Sequence, residues 1–225
     1  MKEKILGIAA ALLWLVFGIT GVVRWMAGDG GLLAEEMLRN APPERTRLPE
    51  KDYPGVGAMT ADYLTGRTET FQYVIPEGDG AGTVCFQAHE EAHMADCRGL
   101  IRLDTVLCIS SGIAAIVLTA AGTFRTVGRK RFLQGILRGL RTAAVIVGGM
   151  LIWALADYDG LFVTFHKVAF PHGGWLLNPG TDLLIRLMPE SFFIRLGIRG
   201  LLRFAAVPVL MDLCTRIALR RRKDP

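Results

Sequence analysis

Apolar residues are concentrated in four stretches of the chain, 5–23, 105–124, roughly 142–161 and roughly 197–219. Each comes close to the roughly 20 helical residues that cross a hydrocarbon core about 30 Å thick. The pattern predicts an α-helical integral membrane protein with four transmembrane helices at 1–23, 105–124, 142–161 and 197–219. Residues 24–104 form the longest polar interval. Within it, 32–38 reads as a short amphipathic helix stopped by Asn40 and Pro42-Pro43, and 53–64 as a second, with Pro54 near its start and Gly66 after its end. Alternation over 68–75, a Gly78-Asp79-Gly80 turn and the run 83–86 predict a hairpin, so this interval reads as a small mixed α/β extracytoplasmic domain. From Ala88 the pattern is helical and runs toward the second transmembrane segment, with Gly99 as a candidate bend. A helix without that bend would set His93 roughly 18 Å above Thr105 along its axis. The second outer interval, 162–196, carries the Pro171-His172-Gly173-Gly174 turn, Trp175 and a helix candidate over 181–188, which Pro189 ends. Trp175 and Phe170 fit an interfacial aromatic belt.

Composition agrees with a membrane protein: 51% of the 225 residues are hydrophobic and mean hydropathy is positive. Lys2 and Lys4 before the first apolar run resemble a secretory signal. That run exceeds the usual ~7–15 residue signal core, and Arg24, Trp25 and Met26 follow it in place of a small-x-small cleavage site. Charge then sets orientation. The connection 125–141 carries Arg125, Arg129, Lys130, Arg131, Arg138 and Arg141 with no acidic residue, and the tail 220–225 contains Arg220-Arg221-Arg222-Lys223. Both are expected in the cytoplasm, with both termini, leaving the acidic interval 24–104 and the loop 162–196 outside. The net charge of +5 is thereby accounted for as a topological marker, and no nucleic-acid site is read from it.

Three constellations carry candidate chemistry. His89-Glu90-Glu91-Ala92-His93 matches HExxH, in which two histidines one helical turn apart ligate zinc and the glutamate activates water. A membrane-embedded zinc metalloprotease follows from that match if His166, His172 or Asp182 supplies a third ligand. Alternatively, His93 acts with Glu90 or Asp96, each three residues away and able to share its helical face, while His166 stands at the outer end of the third helix. Asp159 lies two turns from His166, a separation of ~10 Å that precludes contact. The third constellation is the stripe Arg195, Arg199 and Arg203, for which Asp157 and Asp159 are candidate partners. Cys85 and Cys97 fall where a disulfide is permitted, and Cys108 and Cys214 fall in or near helices.

The string Glu90, then His93-Met94-Ala95-Asp96, resembles the His-Met-x-Asp motif of the bacterial lipoprotein intramolecular transacylases. The second outer interval is similar to that family's outer loop through Phe165-His166-Lys167, Trp175-Leu176-Leu177-Asn178-Pro179, Thr181-Asp182 and Pro189-Glu190-Ser191-Phe192-Phe193. Cys97 stands where an aliphatic residue is usual and Ala169 where an aromatic is common; His89 is incidental to the family pattern. The resemblance implies a plasma-membrane acyltransferase whose partner is a diacylglyceryl-modified lipoprotein in membrane lipid. It moves the sn-2 acyl chain to the α-amine of the lipoprotein's N-terminal cysteine, giving the lyso form. Such a reaction needs a base for an amine with pKa about 7.7–8 and an acid for the glyceryl oxygen. His93 and His166 are the candidate catalytic pair, with interchangeable roles at this stage. Glu90, Asp96, Trp175, Asn178 and Asp182 are candidates for orientation, oxyanion stabilisation or loop bracing. Ester-to-amide exchange is downhill, so neither a nucleotide cofactor nor a metal is expected.

Overall fold

A computed structural model describes residues 1–76, 78, 80–124 and 127–220. Asp79 of the expected turn, Arg125 of the basic connection, and Arg221, Arg222 and Lys223 of the tail lie outside the described residues. Ten α-helices follow in order: α1 (Lys2–Gly28), α2 (Gly30–Asn40), α3 (Pro43–Thr46), α4 (Tyr53–Leu64), α5 (Ala88–Phe124), α6 (Arg129–Ala156), α7 (Tyr158–Ala169), α8 (Leu183–Leu187), α9 (Glu190–Phe204) and α10 (Ala206–Arg220). They gather in two compact units, one of Met1–Val22, Thr105–Val163 and Leu202–Pro225, the other of Val23–Asp104 and Thr164–Leu201.

In the first unit, helices α1, α5 and α6 are long and apolar enough to cross a membrane. Much of their surface is apolar and outward: Val145 and Leu155 are 76% and 88% exposed, as suits side chains meeting lipid. Close approach of α1 and α6 depends on small residues. A Cβ on Gly7 would fall 2.0 Å from the Phe132 carbonyl oxygen, one on Gly135 2.2 Å from that of Lys4, and one on Gly139 2.8 Å from Ala11 Cβ. Gly135 and Gly139 thus form a GxxxG face against Gly7 and Ala11, bringing the backbones together where lipid supplies no hydrophobic drive. Leu15, Phe132, Leu133, Ile136 and Leu140 close the seam, and Trp14 Nε1 donates to Thr119 Oγ1 at 3.0 Å, joining α1 to α5.

Several boundaries differ from the sequence expectation, each for a local reason. Most of the basic connection 125–141 is helical, because its Arg and Lys are good helix formers and its apolar positions Phe132, Leu133, Ile136 and Leu140 pack into the seam just described. The third helix ends early, at Ala156, and a new one begins, because Asp157 caps α7 by accepting the Gly160 N–H at 2.9 Å. The expected fourth span is divided at Ala205. Pro208 explains the break: it has no N–H to give the Phe204 carbonyl, and its ring crowds that carbonyl. By contrast, α5 runs through Gly99 without interruption.

The second unit is not the expected mixed α/β domain. No strand forms among its described residues, and the hairpin is reduced to one antiparallel bridge, Val74 with Val84. The Gln72 side chain takes the place of the next rung: its Oε1 accepts the Phe86 N–H at 3.0 Å and its Nε2 donates to the Phe86 carbonyl at 2.8 Å. The core instead joins α2, α4 and α8 through Met37, Tyr53, Val56, Phe71, Leu187 and Phe192. Tyr53 donates its hydroxyl proton to the Ala41 carbonyl. The arginine stripe also finds other partners than Asp157 and Asp159. Arg195 and Arg199 each reach the fully buried Glu36 at 2.8 Å, and Arg199 reaches Glu35 at 2.9 Å. Cys85, Cys97, Cys108 and Cys214 are free thiols.

Replacing Gly135 by Leu should cost about 3 kcal/mol or more, because backbone atoms that cannot yield occupy the space. Thermal unfolding in detergent should show a large drop for Gly135→Leu and little change for Gly148→Leu, whose Cβ would meet nothing within 4 Å.

Candidate active site

The site is built on the start of α5. Gln87 precedes the helix, and its backbone N–H donates to Glu90 Oε2 at 2.8 Å, one half of a capping box. Glu90 Oε1 accepts the Leu184 N–H at 2.7 Å, in the first turn of α8. The side chain is fully buried, and burial of a carboxylate is tolerable only with such donors and the positive ends of helices around it. One carboxylate therefore ties the loop after His166 to the helix that carries His93.

His93 lies one turn further along α5. Its Nε2 is 3.6 Å from Cys97 Sγ, and its buried Nδ1 has no hydrogen-bond partner among the described residues. The expected orienting carboxylates are otherwise engaged. Both Glu90 oxygens accept backbone N–H groups, and Asp96 is exposed, acting on His93 through its charge alone. Burial first, then the charge of His166, pushes the His93 imidazole below the ordinary histidine value, against an upward pull from Asp96. His93 is therefore mostly neutral near pH 7, the form a base requires.

His166 sits near the end of α7, 8% exposed. Aromatic rings frame it: Phe165, Phe170 and Trp175 have centroids 5.2, 5.5 and 5.0 Å from its own. Phe170 also meets His93 at 5.0 Å. The two imidazoles face each other at 6.5 Å with planes 29° apart. That gap is too wide for a direct hydrogen bond and narrow enough for both rings to reach a single reacting centre between them.

Trp175 returns to His166 because Gly173 and Gly174 both hold left-handed φ angles, 80° and 83°, which favour residues without a Cβ. Beyond it, Asn178 and Asp182 fold the loop on itself. Asn178 Oδ1 accepts the Gly180 N–H at 2.9 Å. Asp182 accepts the Asn178 N–H at 2.8 Å, the Thr181 hydroxyl at 2.6 Å and His89 Nε2 at 2.9 Å. These partners, the Thr181 hydroxyl first, hold its carboxyl at about 2. His89 is correspondingly raised by its bond to Asp182. Asp182 thus braces the loop against His89, and its backbone carbonyl accepts the Arg186 Nε–H at 3.1 Å. Among the described residues, no three His, Cys, Asp or Glu side chains cluster as a metal site.

Sequence reasoning did not assign Phe165, Phe170 and Cys97 to this site. Phe170 was legible only as an interfacial aromatic, since i,i+4 spacing from His166 does not reveal contact with a ring on another helix.

Residues 6–193 match the family model of the lipoprotein intramolecular transacylase Lit. The chain belongs to that family. It is accordingly read as an integral membrane acyltransferase of lipoprotein modification. The fold is similar to the in meso structure of the membrane integral lipoprotein intramolecular transacylase Lit from Bacillus cereus, with a TM-score of 0.77, 15% identity, and coverage of 100% of this chain and 99% of that one. The same protein with a histidine-to-arginine substitution gives a TM-score of 0.69 at 15% identity, covering 99% of this chain and 94% of its own. Its histidine-to-alanine form gives 0.69 at 16%, covering 100% and 96%. At these identities the likeness is one of fold. No curated protein sequence matches the chain.

Within this Lit-family chain, Glu90→Ala should strand the buried Leu184 N–H and free the partly buried Gln87 N–H, at a cost on the order of 2 kcal/mol. Chemical denaturation measures the loss, and hydrogen exchange should show it first at the starts of α5 and α8. For His93, NMR titration of labelled histidine should give an inflection below 6.5. His166→Asn removes a lowering charge and should move that inflection up; Asp96→Asn removes a raising charge and should move it down.

Proposed function

We propose that this enzyme transfers the sn-2 acyl chain of a lipoprotein's S-diacylglyceryl group to the α-amine of the same molecule's N-terminal cysteine. In this reading His93 is the general base and His166 the general acid. The observation that carries it is the facing of the two imidazoles across 6.5 Å within an aromatic frame. His93 takes a proton from the α-amine, whose nitrogen attacks the ester carbonyl carbon. A tetrahedral centre forms; its bond to the glyceryl oxygen breaks as His166 gives that oxygen a proton. The lowering of His93, by burial first and then by the charge of His166, supports the base role, which needs a neutral imidazole near pH 7. Nucleophile and ester share one substrate, so the main contribution asked of the protein is alignment, for which effective molarities reach about 10⁵–10⁸ M. Trp175 and backbone amides of its loop are the candidates for stabilising the oxyanion. The basic ends of the chain support cytoplasmic termini and four crossings, with the histidines served from the outer leaflet.

Coexpression with a diacylated lipoprotein tests the proposal. Because the reaction is an isomerisation, the intact mass should stay constant while the N-terminal amine becomes blocked and fragment ions place an acyl group on nitrogen. His93→Ala and His166→Ala should each slow transfer by ~10²–10⁴-fold, with activity of the parent enzyme falling below pH 6.5 as His93 protonates. His89→Ala should stay within about threefold of the parent, since His89 itself is exposed and the buried Asp182 keeps the Thr181 hydroxyl and the Asn178 N–H as partners. A free amine alongside a folded enzyme would refute the assignment.

A further inference from the structure

Between the start of α6 and the end of α10 lies a cavity of about 460 Å³. Arg129 and Lys130 line it from the first turn of α6, and Arg216 and Arg220 from the last turns of α10. Asp212 engages Arg216 at 2.5 Å and leaves the remaining cations in excess. Two further observations point to an anion. The buried Nε of Arg129 has no hydrogen-bond partner among the described residues. The N-terminus of the 28-residue α6 has no side-chain cap and, although Glu3 stands beside Gly128 there, the positive end of the helix dipole adds to the cationic lining. Along α6 the wall changes character one and two turns in, where Leu133 and Leu137 take over, and Leu219 adds apolar surface beside Arg220. A free phosphate needs no such apolar wall.

We propose that this cavity binds the phosphate headgroup of an anionic phospholipid, with Arg129, Lys130 and Arg220 around the phosphate and the leucines along the upper acyl chains. By the charge pattern this lipid belongs to the cytoplasmic leaflet, so the site is separate from the histidine pair and its lipid is no acyl donor. Basic pockets between membrane helices hold anionic headgroups on the same physical grounds.

The test is native mass spectrometry of the full-length enzyme in neutral detergent, titrated with phosphatidylglycerol or with phosphatidylcholine of identical acyl chains. Phosphatidylglycerol should be retained at least about fivefold more strongly, and Lys130→Gln with Arg220→Gln should weaken it about 25-fold, near fivefold per cation. Both positions are exposed, so the double variant should keep the parent's unfolding temperature in detergent and its acyl-transfer rate. Arg129→Gln should weaken retention as well, and Arg129→Lys should restore most of it. Equal retention of the two lipids, or unchanged retention in the double variant, would overturn the proposal. Displacement by millimolar inorganic phosphate would overturn the lipid assignment in favour of a free phosphate.

Discussion

The Glu90 carboxylate is the constraint on which the histidine-bearing unit depends. Buried, charged and shared between the first turns of α5 and α8, it satisfies the Gln87 and Leu184 N–H groups at 2.8 and 2.7 Å. Those two donors lie 97 residues apart in the chain, at 87 and 184, and nothing in the local sequence of either one requires that they meet. Once they meet, Leu183, Leu184 and Leu187 enter the core with Met94, one residue beyond His93. The position of His93 relative to the loop that carries Trp175 is therefore set by a hydrogen-bonded charge rather than by contact between the imidazoles.

Around that anchor, several charges of the unit are held in pairs. Glu36 is locked by Arg195 and Arg199, Glu69 holds Arg98 over the Tyr63 ring, and Asp182 holds His89. His93 is treated differently. It lies among aromatic rings with a thiol as its nearest polar neighbour, and burial keeps its imidazole neutral. A carboxylate bonded directly to it would have raised its proton affinity and brought a second charge to be desolvated. The arrangement favours a base that is free near neutral pH over one that is strong but already protonated.

The sequence revealed the membrane class and the helices of the polar interval well, because these depend on local pattern. The helix over Tyr53–Leu64 was legible from Pro54 and Gly66, and the histidine pair from the motifs around His93 and His166. What it concealed depended on partners distant in the chain or on side chains standing in for backbone. Gln72 looked like one more polar position of an alternating strand, yet its amide replaces a rung of the hairpin. Asp157 looked like a partner for arginine and is a helix cap. Glu35 and Glu36 fall within the stretch 32–38 read as an amphipathic helix, and only the fold brings Arg195 and Arg199 to them. The HExxH match is the converse case: its spacing is sound for zinc, but a spacing cannot say that Asp182 will arrive to engage His89.

The two apparent defects in the apolar pattern follow the same logic. Pro208 interrupts the last predicted span, and Asp157 interrupts the third. A helix interruption facing lipid leaves backbone groups without partners in a medium that has none to offer. At Asp157 the side chain itself caps the helix that follows, so the interruption supplies a donor's acceptor instead of leaving one unmet. At Pro208 the freed carbonyl belongs to Phe204, whose partly buried side chain packs against the apolar seam of the first unit. Hydropathy registers the apolar side chains on both sides of Ala205 and not the N–H that Pro208 lacks, which is why it predicts one continuous helix where the backbone forms two.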